Sequence, residues 1–227
     1  MVPRISVIIP TLNEAAVIVK TLAALPKHDR LERIVVDGCS SDGTAALAEP
    51  FADRVLVRPA GRAQQMNAGA RVARGEVFLF VHADCRFDEE GYHELIGSLE
   101  DPTVVGGAFR LAIDSSRRSL RLVAAVANWR TRLTRIPYGD QGIFVRRSVF
   151  ERLGGYPEIP VMEDLEFARR LNRAGKITLL TRPMTTSSRR WDKEGVGYTT
   201  LRNQIFVLLY FLGASGARLS RWYRVVR

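Results

Sequence analysis

Cysteine is scarce. The chain of 227 residues holds two, Cys39 and Cys85, too few and too scattered for a disulfide framework or a Cys-based zinc site. No charged-then-apolar leader precedes Ile5, so the sequence reads as that of a cytoplasmic protein in a reducing setting. Long apolar runs are also missing. The longest, Ile205 to Ala214, is about half of the roughly 20 residues that cross a bilayer, so no spanning helix is expected and any membrane contact is peripheral. No Gly-x-Gly-x-x-Gly follows an apolar run. Gly38 to Gly43 has the glycine spacing of a phosphate-binding loop, but Thr44 stands where lysine is required, which sets aside dehydrogenase and P-loop ATPase readings. A composition of 46% hydrophobic and 26% charged residues excludes collagen-like and disordered chains, and the length suits one sizeable domain with at most an appended element.

What is abundant is positive charge, with 34 Lys and Arg against 24 Asp and Glu and a formal charge of +10. Its placement is uneven. Residues 1–114 carry 12 basic and 16 acidic side chains, and residues 153–181 balance at 4 and 4, whereas residues 115–152 and 182–227 each carry 9 basic against 2 acidic. Two basic segments therefore sit on a near-neutral body. Solvated Arg-rich helix faces, an anionic lipid surface, an anionic substrate and RNA all fit that pattern.

Along the first part, short β-branched runs alternate with helical stretches: Arg4–Ile9, Glu14–Leu25, Arg33–Val36, Thr44–Phe51, Val55–Arg58, Ala63–Arg74 and Val77–Val81. Runs apolar on both faces, such as residues 7–9 and 77–81, suit parallel strands covered by helices on both sides, which predicts a doubly wound α/β fold with ligands at the strand carboxyl ends. After Asp101-Pro102 come a strand over Val104–Leu111, an Arg-rich helix over Arg118–Leu133, a strand over Gly142–Arg146, a helix over Glu163–Ala174 and a long amphipathic stretch from Thr199. No repeat or linker-like composition divides the chain.

Polar residues collect where these strands end. Pro10-Thr11-Leu12-Asn13-Glu14 follows the first, with Thr11 and Glu14 at capping-box spacing. Asp37-Gly38-Cys39-Ser40-Ser41-Asp42-Gly43-Thr44 follows the second and is either a turn with a helix cap or a ribose- and base-binding loop. His82-Ala83-Asp84 follows the fourth, where a carboxylate facing the crevice suits Mg²⁺ or Mn²⁺ against a pyrophosphate. Downstream, Gly154-Gly155-Tyr156 leads to Glu163-Asp164 at a helix start, a place where the dipole alone favours acids.

Taken with Asn67-Ala68-Gly69 and Gly75-Glu76-Val77, this ordered series resembles the family 2 glycosyltransferases of the GT-A fold over about residues 4–175. Within that family, His82-Ala83-Asp84 preceded by Gly61-Arg62-Ala63-Gln64-Gln65-Met66-Asn67 most resembles the bacterial arsenosugar-biosynthesis-type branch. The resemblance implies a GT-A domain over 1–181, with a nucleotide-binding half at 1–101 and an acceptor half at 102–181, followed by a basic helical extension over 182–227.

It also implies non-processive, inverting transfer of a sugar from a nucleotide-diphosphate donor, a UDP-sugar first, to a hydroxyl acceptor that is a small molecule or lipid-linked. Pro10, Thr11 and Glu14 would line the nucleoside pocket, Asp37 would accept the base imide N–H, and Arg62 would lie near base or phosphates. Asp84 matches the last Asp of the family's Asp-x-Asp and would hold Mn²⁺ or Mg²⁺; His82 stands where the first Asp usually does, with Ala83 between them in the cofactor-binding segment. Asp164 matches the general base, with Glu163 beside it. Ser187-Ser188-Arg189-Arg190-Trp191 keeps only the Arg-Trp of the processive members' motif, placing Arg190 near the diphosphate and Trp191 near the acceptor.

Two other classes compete with this reading. A sugar-phosphate nucleotidyltransferase normally carries a Gly-rich, Lys- or Arg-bearing loop after its first strand, where this chain has Pro10–Glu14. A basic module for RNA or membrane needs closely spaced aromatics if RNA is the partner, and the basic segments are poor in them, so nucleic acid is not expected. The hydrophobic positions from Leu201 to Leu212 and the arginines at 218, 221, 224 and 227 fit either a packed helix or one resting on an anionic membrane surface. No oligomeric state is legible.

Overall fold

The structure is a computed structural model and describes residues 4–222. β1 (Ile5–Thr11), β2 (Leu31–Asp37), β3 (Arg54–Val57) and β4 (Val77–Phe80) pair in parallel in the order β3-β2-β1-β4. Their connections contain α1 (Ala15–Ala24), α2 (Thr44–Ala48) and α3 (Arg62–Val72). Next come β5 (Cys85–Arg86), α4 (Glu89–Ser98), β6 (Val104–Asp114), α5 (Arg118–Thr134), β7 (Ile143–Arg146), α6 (Arg147–Arg152), α7 (Glu163–Ala174) and β8 (Lys176–Ser187). The chain continues into α8 (Arg189–Glu194), α9 (Val196–Phe211) and α10 (Gly216–Trp222).

All eight strands form one sheet, β3-β2-β1-β4-β7-β6-β8-β5. β7 runs antiparallel to β4 and to β6, β8 is parallel to β6, and β5 is antiparallel to β8. The sheet is thus mostly parallel, with an all-parallel half as the alternating pattern predicts and a mixed half beyond it.

Strand residues divide between two cores by the period of two. Ile5, Val7 and Ile9 of β1 and Val77 and Leu79 of β4 pack with Ile18, Leu22 and Leu95 on one face. Ile8, Phe78 and Phe80 pack with Met66, Phe150, Tyr156 and Phe167 on the other. At Gly69 on α3 a β-carbon would come within 2.5 Å of the Ile8 methyl, so the helix lies against β1 only because that position is glycine. Asn67 locks the loop before α7, accepting from the Tyr156 N–H and donating to the Tyr156 carbonyl, each at 2.9 Å.

The structure departs from the expectations in several places. The residues from Thr199 onward do not make one continuous amphipathic element: α9 begins at Val196 and ends at Phe211, and Gly213, at φ 95°, breaks the chain before α10. Arg224 and Arg227 lie outside the described residues. β8 runs across residue 181, and β5, α4 and α6 are additional elements. Among the described residues no helix is long and apolar enough to cross a membrane.

Candidate active site

The loops after β1 and β2 are tied to one another at the strand carboxyl ends. Thr11 does not cap α1: its hydroxyl donates 2.9 Å to Asp37 Oδ1, and Glu14 makes no side-chain cap. The expected capping box is therefore absent, and the second loop does its work. Thr44 Oγ1 accepts from the Glu14 N–H at 2.9 Å and Asp42 Oδ2 from the Ala15 N–H at 3.0 Å. Ser40 Oγ accepts from the Asn13 N–H, and Asn13 Oδ1 accepts from the Ser41 N–H. Asp37, buried at the end of β2, also accepts from the N–H and hydroxyl of Ser40 at 2.7 and 2.6 Å. These bonds hold Thr11, Glu14 and Asp37 in one cluster at the strand carboxyl ends, with Pro10 beside Thr11 in β1.

A second group lines a cavity beside it: Arg62, His82, Asp84, Asp140, Asp164 and Arg190, with Trp191 on the wall. Asp164 is the second residue of α7, where helix N–H groups point outward. Its Oδ2 accepts from the Gly139 N–H at 2.8 Å and its Oδ1 from the Leu165 N–H at 2.7 Å. A β-carbon at Gly139 would lie 2.7 Å from His82 Nε2 and 3.0 Å from Asp164 Oδ2, so glycine there lets imidazole and carboxylate close in on the same turn. Met162, just before α7, holds a left-handed φ of 68°, the kind of backbone strain that persists where surrounding structure enforces a functional geometry.

Glu163 lies apart from the cavity lining. It is 1% exposed and pairs with Arg62 Nε at 2.8 Å. Burial raises its pKa, Arg62 opposes that rise, and Asp164 adds to it. Ala83 is likewise turned into the core, and its carbonyl accepts from Thr21 Oγ1 at 2.6 Å.

His82 is kept neutral, its pKa pushed down to about 4 first by burial and then by Arg62, against the pull of Asp84 and Asp164. A neutral imidazole keeps a lone pair for a cation. His82, Asp84 and Cys85 bring one donor atom each to within 4.8 Å of one another. Burial drives the Cys85 thiol well above its ordinary pKa, and a hard divalent cation prefers the imidazole and the carboxylate of the set to a thiol. That set fits a divalent cation, and its nitrogen suits Mn²⁺ better than Mg²⁺. Arg189 stands over Asp84, with Nη2 3.4 Å from Asp84 Oδ2 and 2.8 Å from Glu14 Oε2, so it joins the two clusters.

Asp140 and Arg189 were not among the residues singled out from sequence. Asp140 lies in the 3₁₀ turn Gly139–Gln141, and burial with Asp164 nearby pushes its carboxyl up to about 6, against Arg130. The only sequence signal was an acid between Gly139 and Gly142; for Arg189 it was a choice between adjacent arginines.

The eight-stranded sheet with polar clusters and a cavity at its strand ends defines a GT-A-type α/β protein. Solved structures agree. A mannosyltransferase from Pyrobaculum calidifontis, solved with GDP-Man and Mn²⁺, matches with a TM-score of 0.63 and 25% identity over 82% of this chain and 57% of that one. The fold also matches Staphylococcus aureus TarS, solved with UDP-GlcNAc, with a TM-score of 0.65 at 19% identity over 81% of this chain and 58% of that one. Residues 6–154 match the sequence profile of glycosyl transferase family 2, and the chain belongs to that family. It is 29% identical over 202 residues to the probable glycosyltransferase YdaM of Bacillus subtilis, covering 76% of this chain and 47% of that protein. To the glycosyltransferase AglE of Haloferax volcanii it is 27% identical over 192 residues, covering 76% and 62%. The chain thus spans about half to three fifths of the length of these curated relatives.

Proposed function

We propose that this chain transfers a sugar from a nucleotide-diphosphate donor to an acceptor hydroxyl with inversion, and that Asp164 is the general base. The observation that carries the reading is one cavity lined by Asp164, His82, Asp84, Arg62 and Arg190, beside the cluster around Asp37. Asp37 receives the base of the nucleotide, which favours a uracil imide N–H, with Pro10, Thr11 and Glu14 around the nucleoside. Arg62 and Arg190 face the diphosphate with positive charge, and Glu163 holds Arg62 in place. His82 and Asp84 would hold a divalent cation, which would supply positive charge against the leaving diphosphate.

Asp164 accepts the proton of the acceptor hydroxyl as that oxygen bonds to the anomeric carbon and the bond to the diphosphate oxygen breaks on the opposite face. The Gly139 and Leu165 N–H groups aim its carboxylate. Trp191 offers an apolar wall for the acceptor, a small molecule or a lipid-linked one. The missing half of the processive motif supports a single transfer per encounter. The Gly61–Asn67 segment and His82-Ala83-Asp84 are what support a place near the arsenosugar-biosynthesis-type branch of the family.

Asp164→Asn tests the base. Turnover with a UDP-sugar and its acceptor falls by about 10²–10⁴, while calorimetric UDP affinity stays within about threefold of wild type. Near-normal turnover removes Asp164 from that role.

A further inference from the structure

Helices α5 and α9 each bury one side and leave the other bare. On α5, Leu120, Ala124 and Thr131 are buried, and Asn128 holds β6 by exchanging hydrogen bonds of 2.8 and 2.9 Å with the Leu111 backbone. Turned away from them, Leu122, Val126, Trp129 and Leu133 form a stripe at helical spacing and are 55–65% exposed. On α9, Phe206 is buried, and with Asn203 and Val207 it lines the catalytic cavity. On its other side Leu201, Ile205, Leu208 and Leu212 are 45–74% exposed. The two helices pack against one another. The small cluster that anchors the C-terminal helices, Val161, Phe206 and Leu219, takes none of these residues. Two adjoining helices that each leave four large apolar side chains exposed go beyond the isolated surface leucines that a folded protein tolerates, and such exposure marks an interaction site.

Charge identifies the partner. Residues 115–139 and 195–222 contain no Asp, Glu or Lys, so every charged residue on these segments is arginine. Arg118, Arg121, Arg132 and Arg135 are exposed around the α5 stripe, and Arg218, Arg221 and the 69% exposed Trp222 follow α9. We propose that the α5–α9 face docks on an anionic lipid bilayer, with the apolar stripes at headgroup depth, Trp129 and Trp222 at the interface and the arginines against lipid phosphates. A second copy of the chain is a poor occupant, because a two-fold contact through this face sets its exposed arginines against one another, while the nearby carboxylates Asp192 and Glu194 already pair with Arg117 and Arg202. α9, at 16 residues, is about 24 Å long, short of the roughly 30 Å hydrocarbon core, so it lies in the surface and does not span. Given the transferase reading above, α9 is both a wall of the cavity and part of the docking face, which makes a lipid-anchored hydroxyl the acceptor class that reaches Asp164 most directly.

Co-sedimentation of the full chain with extruded vesicles tests the docking. Phosphatidylcholine vesicles containing phosphatidylglycerol retain the protein at about 0.1 M salt, and phosphatidylcholine vesicles alone retain far less. The double variant Trp129→Glu/Leu208→Glu changes exposed residues outside the cavity, melts as wild type does, and partitions about tenfold or more weakly. Failure to bind the anionic vesicles overturns the proposal, as does undiminished binding by the variant, which would reduce the contact to charge alone. A dimer in ultracentrifugation that the same variant dissociates, with no vesicle binding, would assign the face to a second copy. Vesicle binding is read without turnover, so its failure leaves the transferase reading standing, and loss of the transferase reading leaves the docking result intact.

Discussion

Asp140 and Asp164 share a crevice but stand in different electrostatic conditions. Asp164 takes two backbone N–H bonds, whereas burial, with Asp164 adding to it, drives the Asp140 carboxyl up to about 6. A raised pKa means that the folded protein holds the proton more tightly than the unfolded chain. The stability this contributes is full below the ordinary carboxylate pKa, near 4, and is lost as pH rises through about 6. Asp140→Asn removes that loss. Metal-free variant protein is expected to be more stable than wild type at pH 7.5 by about 1–3 kcal/mol, with a flatter dependence of Tm on pH between about 4 and 6, measured by thermal melts across that range. Parallel Tm profiles for the two proteins would contradict the assignment. Asp164 was picked out because Glu163-Asp164 after Gly154-Gly155-Tyr156 matches the pattern of the family the sequence resembles; on its own the pair reads as acids at a helix start. Asp140 was not, because a turn between glycines has no period to reveal where its side chain points.

At the scale of elements, the loop after β2 organises the loop after β1, and the N-terminus of α1 depends on Thr44 across about thirty residues of chain. Thr44 is fully buried, and its hydroxyl accepts from the Glu14 N–H and donates to Asp42. Thr44→Val keeps the volume and leaves that N–H unpaired, at a cost of about 1–2 kcal/mol in unfolding free energy and with faster hydrogen exchange at Glu14. Wild-type exchange at that amide would show that the bond does not hold the loop. Local spacing in the sequence suggested a Thr11–Glu14 box because a cap from another loop leaves no trace in spacing. The same limit applies to β8. Lys176–Ser187 alternates poorly, carries Arg182-Pro183 inside it and bulges against β6, so its residues lack the period of a strand although the sheet needs them. Helix α7, by contrast, begins and ends where the sequence places it, between the acids of its first turn and Gly175.

For the whole molecule, the parallel half, the strand-end loops and the metal-type residues come from the near-neutral first part, and the basic segments supply α5 and the helices α8–α10, of which α8 and α9 line the cavity. The first half was legible because buried parallel strands are continuous apolar runs and their loops are polar. In the second, the Arg-rich helix over Arg118–Leu133 and the strand ending at Arg146 were legible, but not which helix face meets water, lipid or substrate, since Arg-rich faces look alike in each setting. On the proposed function, these two halves hold a nucleoside diphosphate with a divalent cation between them. Calorimetric titration of the protein with UDP, GDP and dTDP, each with and without Mn²⁺, tests it most directly. One diphosphate, UDP first, is expected to bind at least about tenfold more tightly with Mn²⁺, and Asp84→Ala to abolish the metal's contribution. Absence of binding by all three diphosphates, with and without the metal, would contradict it.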